Sequence, residues 1–309
     1  MNQPPEVHLS LPVLVGGVLF TAAGLAVWWL AVYRVNKGLP VVPYERRRPV
    51  PWQALHVATI AAAYLVLTLL VQRLDVKLFD LPVPGPAAAD SERPILQHPL
   101  LVLLEQSRTP GTLLLCFFSA VIVAPIVEEF LFRLVLQGWL ESVEMRRRRG
   151  IPALRKLTRG AVPVVLVALL FAAIHYRPGL PPGTDPRTIA HLMASNAVAG
   201  LLVLVLGVGL LRLDAGARAE DLGCVPRKLL ADIRLGVLTF LAFAAAIYLL
   251  KNALTARWQE NVADPVTLFA FALVLGALYS RTHRVIPSIA LHMSLNFTSL
   301  AMAWFRVGM

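Results

Sequence analysis

Continuous apolar windows of about 17 to 25 residues recur along the whole chain and have no period-two alternation, so they predict membrane-crossing helices rather than strands. Eight are legible, over residues 11–33, 52–71, 111–140, 161–176, 189–211, 229–250, 266–280 and 285–304. The fourth and seventh are short. No polar stretch between them is long enough for a separate soluble domain, so the expected architecture is all-α: one polytopic helix bundle over 1–309, with about eight transmembrane helices and an N-terminal two-helix region at 1–72.

Composition agrees with the windows. Hydrophobic residues make up 57% of the chain, charged residues only 15%, and mean hydropathy is +0.68, against about 25% charged residues in soluble proteins. The formal net charge of +11 does not imply nucleic acid, because the basic residues fall in short loops between apolar windows, where membrane topology accounts for them. Alternate loops assigned to the inside hold 18 of the 29 Lys and Arg residues and those assigned outside hold 9. That bias predicts an N-out, C-out topology with the loop over 72–110 outside. The first window has no positive stretch before it and is followed by Arg34, Lys37 and Arg46-Arg47-Arg48, so it reads as an uncleaved anchor. Anchor type and loop lengths point to a bacterial cytoplasmic membrane. Cys116 and Cys224 lie in different segments and support neither a disulfide framework nor a zinc knuckle.

Ionisable groups inside apolar windows are costly and mark function or a partner. The third window carries Glu128, Glu129 and Arg133 after Ala124-Pro125. Glu129 and Arg133 are four apart and share a helix face, where they can pair. Glu128 points about 100° away. Pro125 removes a backbone hydrogen bond one turn earlier, and such a break often lines a polar pocket. The bland alternative is an interfacial cluster snorkelling at the end of a long helix. Against it, the fourth window ends in Phe171-Ala172-Ala173-Ile174-His175, and the eighth places His292 and Asn296 four apart on one face. An acid, two imidazoles and a carboxamide make a complete hydrolytic set. Glu128 can deprotonate a water with help from His175, while His292 and Asn296 donate to the oxyanion of a tetrahedral intermediate. Counting rise along the predicted windows, however, leaves Glu128 and His175 about 17 Å apart in depth.

At these residues the chain resembles the CAAX protease and bacteriocin-processing family of intramembrane proteases, also called the Abi family, which includes the type II CAAX prenyl endopeptidases. Its motifs E-E-x-x-x-R, F-x-x-x-H and H-x-x-x-N are met by Glu128-Glu129 with Arg133, Phe171 with His175, and His292 with Asn296. The resemblance implies a water-activating Glu128 and His175, an oxyanion site at His292 and Asn296, and Glu129 with Arg133 holding the geometry. It also implies a membrane-associated peptide or protein substrate. The motif-bearing core is then 111–176 and 265–304. The stretch 177–264 separates the last two motifs by more than the family pattern suggests and reads as an atypically placed helical insertion.

Other readings compete. Glu128, His175 and His292 can instead be zinc ligands of an intramembrane metalloprotease, although H-E-x-x-H is absent and the expected cofactor is none. The same polar cluster can serve a non-enzymatic scaffold or immunity protein, or a proton-relaying transporter, for which no inverted repeat is visible. His191 with Asn196, and His56, read as helix-packing polar groups. Arg146 to Arg149 can meet anionic lipid, although topology alone explains them. Trp28, Trp29, Trp52, Trp139 and Trp304 read as interfacial anchors.

Overall fold

The computed structural model describes residues 11–46, 48–80, 99–176, 184–257 and 260–306. Among these every regular element is helical. In chain order the helices are α1 (Leu11–Asn36), α2 (Ala54–Phe79), α3 (Pro99–Gln106), α4 (Pro110–Arg147), α5 (Pro152–Lys156), α6 (Ala161–Ile174), α7 (Pro186–Leu213), α8 (Leu229–Thr255), α9 (Glu260–Thr282) and α10 (Val285–Arg306). Much of the predicted outside loop, 81–98, lies outside the described residues.

Seven of these helices (α1, α2, α4, α7, α8, α9 and α10) are long and apolar enough to cross a bilayer, so the protein is an integral multi-pass membrane protein. The eighth expected span, over 161–176, is the 14-residue α6, about 21 Å long against a hydrocarbon core of about 30 Å. The chain nevertheless passes from one end of the bundle to the other here. Gly160, just before α6, bonds to Glu144 at the end of α4, whereas His191, early in α7, meets Asp75 near the end of α2. At the opposite ends of that same pair, His56 of α2 lies 3.0 Å from Asp214 beyond α7, so α2 and α7 run antiparallel.

Local sequence explains where the elements start and stop. Thr109 accepts the N–H of Thr112 ahead of Pro110, and Asp185 accepts that of Arg187 ahead of Pro186; both are side-chain N-caps followed by proline in the first turn. Gly160 adopts φ +79° to turn the chain into α6, a conformation glycine takes without penalty.

Two features of α4 departed from its apolar window. It runs to Arg147 rather than ending near 140, because its later polar residues are satisfied within the protein. Gln137 donates to Glu141 and to Gly276 O, Ser142 donates to Gly138 O and accepts from Val50 N, and Glu144 pairs with Arg148. Around Pro125 the helix widens into π-helical stretches, Phe117–Val123 and Glu129–Gln137. The Ala124 N–H reaches back five residues to Ser119 O, which absorbs the bond that Pro125 cannot make.

Trp52 also differs from its expected role. It is 1% exposed and donates from its indole N–H to Val135 O, so it is a core residue locking the α2 entry to α4. Helix contacts elsewhere rest on small residues. Gly236 of α8 lies against Pro287 O and Ala290 of α10, and Gly207 of α7 against the Phe130 ring of α4, the close approach typical of membrane helices.

Candidate active site

The site forms where α4, α6 and α10 meet. Glu128 and Glu129 come from the segment that follows Pro125, His175 caps the C-terminus of α6, and His292 lies two turns into α10. Glu128 Oε2 is 3.6 Å from His175 Nε2 and 3.8 Å from His292 Nε2. The 17 Å depth gap expected from the windows is therefore absent. The Glu144–Gly160 bond ties α4 and α6 together sixteen residues from Glu128 and fifteen from His175, about 24 and 23 Å of helical rise. The two side chains return to one level because both helices are measured from the same clamp.

Orientation of the imidazoles follows from their other nitrogen. His175 Nδ1 is 2.7 Å from Phe171 O; a carbonyl only accepts, so Nδ1 carries the proton and the Nε2 lone pair of the neutral ring faces Glu128. His292 Nδ1 is 3.0 Å from Glu129 Oε1, while Glu129 Oε2 accepts from Arg133 Nε at 3.2 Å. The carboxylate of Glu129 thus serves two partners, of which only Arg133 is expected from the spacing. His292 in its neutral form likewise turns Nε2 toward Glu128.

Burial divides the two acids. Glu129 and Arg133 are completely enclosed, whereas about a quarter of the Glu128 side chain is exposed, as is about a fifth of His175. The inner acid is sealed from solvent and the outer one is accessible. Phe171 is the packing centre: its ring lies 4.3 Å from that of His175 and 6.0 Å from that of His292, with the Arg133 guanidinium 5.4 Å above it. Asn296 sits one turn beyond His292 and donates to Ala120 O at 2.8 Å, within the π-helical stretch of α4. Its carboxamide is held with one N–H engaged with that backbone carbonyl.

One participant carried no sequence signal. Phe271 of α9 places its ring 5.4 Å from His292, nearly perpendicular, and nothing distinguishes it from other aromatics in an apolar window. Among the described residues no set of three His, Cys, Asp or Glu side chains has metal-holding spacing. The second histidine–asparagine pair is structural: His191 Nδ1 and Ser195 Oγ share the Asp75 carboxylate at 3.0 and 2.7 Å, and Gln72 donates to Asn196. These bonds bind α2 to α7. An apolar groove of about 390 Å³, lined by Phe117, Phe297 and Trp304 among others, lies between the start of α4 and the end of α10, away from Glu128.

Comparison with known proteins completes the picture. No curated protein and no solved structure matches the chain. The type II CAAX prenyl endopeptidase Rce1-like family matches residues 110–215 and 223–298, more than half of the 309 residues and all of α4, α6 and the portion of α10 that meet at Glu128. The chain belongs to the Rce1-like family of type II CAAX prenyl endopeptidases, intramembrane proteases whose substrates are membrane-associated peptides.

Proposed function

We propose that the protein is a glutamate-type intramembrane endopeptidase in which Glu128 and His175 activate a water and His292 with Asn296 stabilises the oxyanion. The observation that carries the reading is the 3.6 Å approach of His175 Nε2 to Glu128 Oε2, two acceptor atoms that face one another. That separation is too long for a direct hydrogen bond and suits a water that donates to both. As that water attacks the carbonyl carbon, its proton passes to Glu128. The same proton then goes to the leaving amine as the C–N bond breaks, returning Glu128 to carboxylate. His292 donates from Nε2 only as the imidazolium, because its Nδ1 proton is committed to Glu129. An imidazolium held between Glu129 and the reacting carbonyl is a preorganised donor for the developing negative charge. The segment 177–264 is, in this reading, scaffold: α7 braces α2 and α4, and α8 braces α10. The basic end of the bundle, where α1 and α4 finish, faces the cytoplasm, giving N-out, C-out topology in a bacterial cytoplasmic membrane.

A zinc enzyme is the second reading, supported by one observation. Both Nε2 lone pairs converge on Glu128 while both Nδ1 atoms are fixed by a carbonyl or carboxylate, as the outer partners of metal-bound histidines are. Wild type and the variants Glu128→Gln, His175→Ala, His292→Ala and Asn296→Ala, purified in detergent and assayed on a pooled library of membrane-associated peptides with and without chelator, separate the two. Loss of cleavage in the variants together with chelator resistance supports the glutamate protease. Loss on chelation with recovery on zinc addition transfers the assignment to the metalloprotease. Absence of cleavage by a well-folded wild type, with the variants altered only in stability, supports the scaffold.

A further inference from the structure

The connection between α4 and α6 does more than carry topological charge. From Arg146 to Arg159 it contains seven basic residues and no acidic one. Elsewhere at this end of the bundle three cations are held by acids: Arg48 pairs with Asp221, Lys228 with Glu45, and Arg284 with both Glu45 and Asp232. In the hairpin only Arg148 has an acid, Glu144. Among the described residues no carboxylate pairs with Arg146, Arg147, Arg149, Arg155, Lys156 or Arg159, and all six are exposed.

The same segment exposes apolar side chains. Met145, Ile151 and Leu157 are each about 40% or more exposed, interleaved with the cations. The hairpin is nonetheless an ordered element: Arg148 donates to Leu157 O, Arg155 to Arg149 O, and the short helix α5 begins at Pro152. Uncompensated cations beside exposed hydrophobic residues, on a folded loop at the end of a membrane helix, match a layer that is anionic outside and apolar just beneath. Retention of positive loops during insertion requires the charges alone; it requires neither the isolation from acids nor the exposed apolar residues.

We infer that the 146–159 hairpin is a docking surface for the headgroups of anionic phospholipids, with Met145, Ile151 and Leu157 entering the acyl boundary. Its position gives the contact a consequence. The hairpin is the covalent link between the helix bearing Glu128 and the helix bearing His175, and it adjoins the Glu144–Gly160 clamp that sets their common level. Bound anionic lipid therefore holds the site in register. That consequence rests on the protease reading, whereas the lipid contact does not.

The test uses the full chain in nanodiscs of phosphatidylcholine with a minor fraction of spin-labelled phosphatidylglycerol or spin-labelled phosphatidylcholine. The immobilised fraction of each label is compared at low and high salt. The variant R146Q/R147Q/R149Q/K156Q is set against the charge-matched control K37Q/R46Q/R212Q/R227Q, whose residues lie at the same end of the bundle. Wild type is expected to prefer the anionic label in a salt-sensitive way, with the preference falling at least about tenfold in the hairpin variant and little in the control. I151S/L157S, which keeps every charge, is expected to lose part of it. Equal losses in the hairpin variant and the control, or no preference in wild type, would overturn the docking surface. So would a hairpin variant that keeps its lipid preference but loses binding of an acid-rich peptide. Peptide cleavage measured in the same discs is a separate readout: lipid preference without any cleavage leaves the docking surface standing and removes the protease reading.

Discussion

Glu129 accepts from Arg133 through one carboxylate oxygen and faces His292 Nδ1 through the other, at 3.2 and 3.0 Å. A fully enclosed carboxylate thus fixes the tautomer and direction of the imidazole on a different helix. Glu128, its neighbour in sequence, is partly exposed and faces two imidazole Nε2 atoms instead. Adjacent residues of one type therefore have separable tasks, and single substitutions should separate them.

Glu129→Gln leaves Arg133 buried without its anion and offers His292 an amide where a carboxylate was. Removing one partner of a buried ion pair costs about 3–5 kcal/mol, and disorienting a catalytic imidazole costs about 100-fold or more in rate. Thermal unfolding in detergent and peptide cleavage should both fall. Glu128→Gln should abolish cleavage while the unfolding midpoint stays near wild type. Equal destabilisation by the two variants would show that the division of labour is wrong.

Phe171 contributes through shape. Its ring supports His175, His292 and Arg133 together, and it is completely buried. Phe171→Ala should destabilise by about 3–5 kcal/mol through the cavity it leaves. Phe171→Leu, which retains most of the volume, should unfold near wild type yet cleave about tenfold more slowly, because His175 loses the stacked surface that orients it. Wild-type turnover in the Leu variant would reduce Phe171 to filler.

Gly236 sets how closely α8 approaches α10. A Cβ there would run into Pro287 O and lie 2.7 Å from Ala290 Cβ, and the obstruction on the Pro287 side is backbone, which cannot rotate away. Gly236→Ala should therefore cost about 1–3 kcal/mol and displace the helix carrying His292 and Asn296, lowering kcat more than it raises KM. Unchanged stability would mean that the two helices have slack at this crossing.

Acid should loosen the basic end of the bundle at Glu45. Burial raises its pKa, but hydrogen bonds and charge from Lys228 and Arg284 outweigh burial and hold it below the ordinary value of 4.5, with Asp232 the nearby acid of the same group. A depressed carboxylate stabilises the fold above its unfolded pKa, and that contribution is lost as pH falls through the folded value. The stability gap between wild type and Glu45→Gln should accordingly be constant above about pH 5 and close as pH drops below 4.5. A gap that persists unchanged to low pH would place the effect of Glu45 in packing rather than charge.

Much of the candidate site was legible as residues and little of it as geometry. Glu129 with Arg133, Phe171 with His175, and His292 with Asn296 are spacings of four, and a helix turns those into shared faces without help from the rest of the fold. Trp52 misled, because an aromatic at the edge of an apolar window fits an interface as well as a core. Phe271 stayed invisible because an aromatic inside such a window has no partner until another helix brings one.

Chain chemistry alone determined that this is a helical membrane protein, since about twenty consecutive apolar residues have few other stable states. It also determined which intramembrane charges needed explaining. Tertiary structure decided how the helices lie against one another. Rise along a single helix places Glu128 only relative to its own ends, and those ends were misplaced because Glu141, Ser142 and Glu144 read as polar termini although they are satisfied inside the bundle. The depth of His175 against Glu128 depends on a bond between Glu144 and Gly160, sixteen residues apart in the chain and remote from both. Hydropathy measures each residue's preference for lipid over water; it contains no term for a partner on another helix, and partners on other helices align this site.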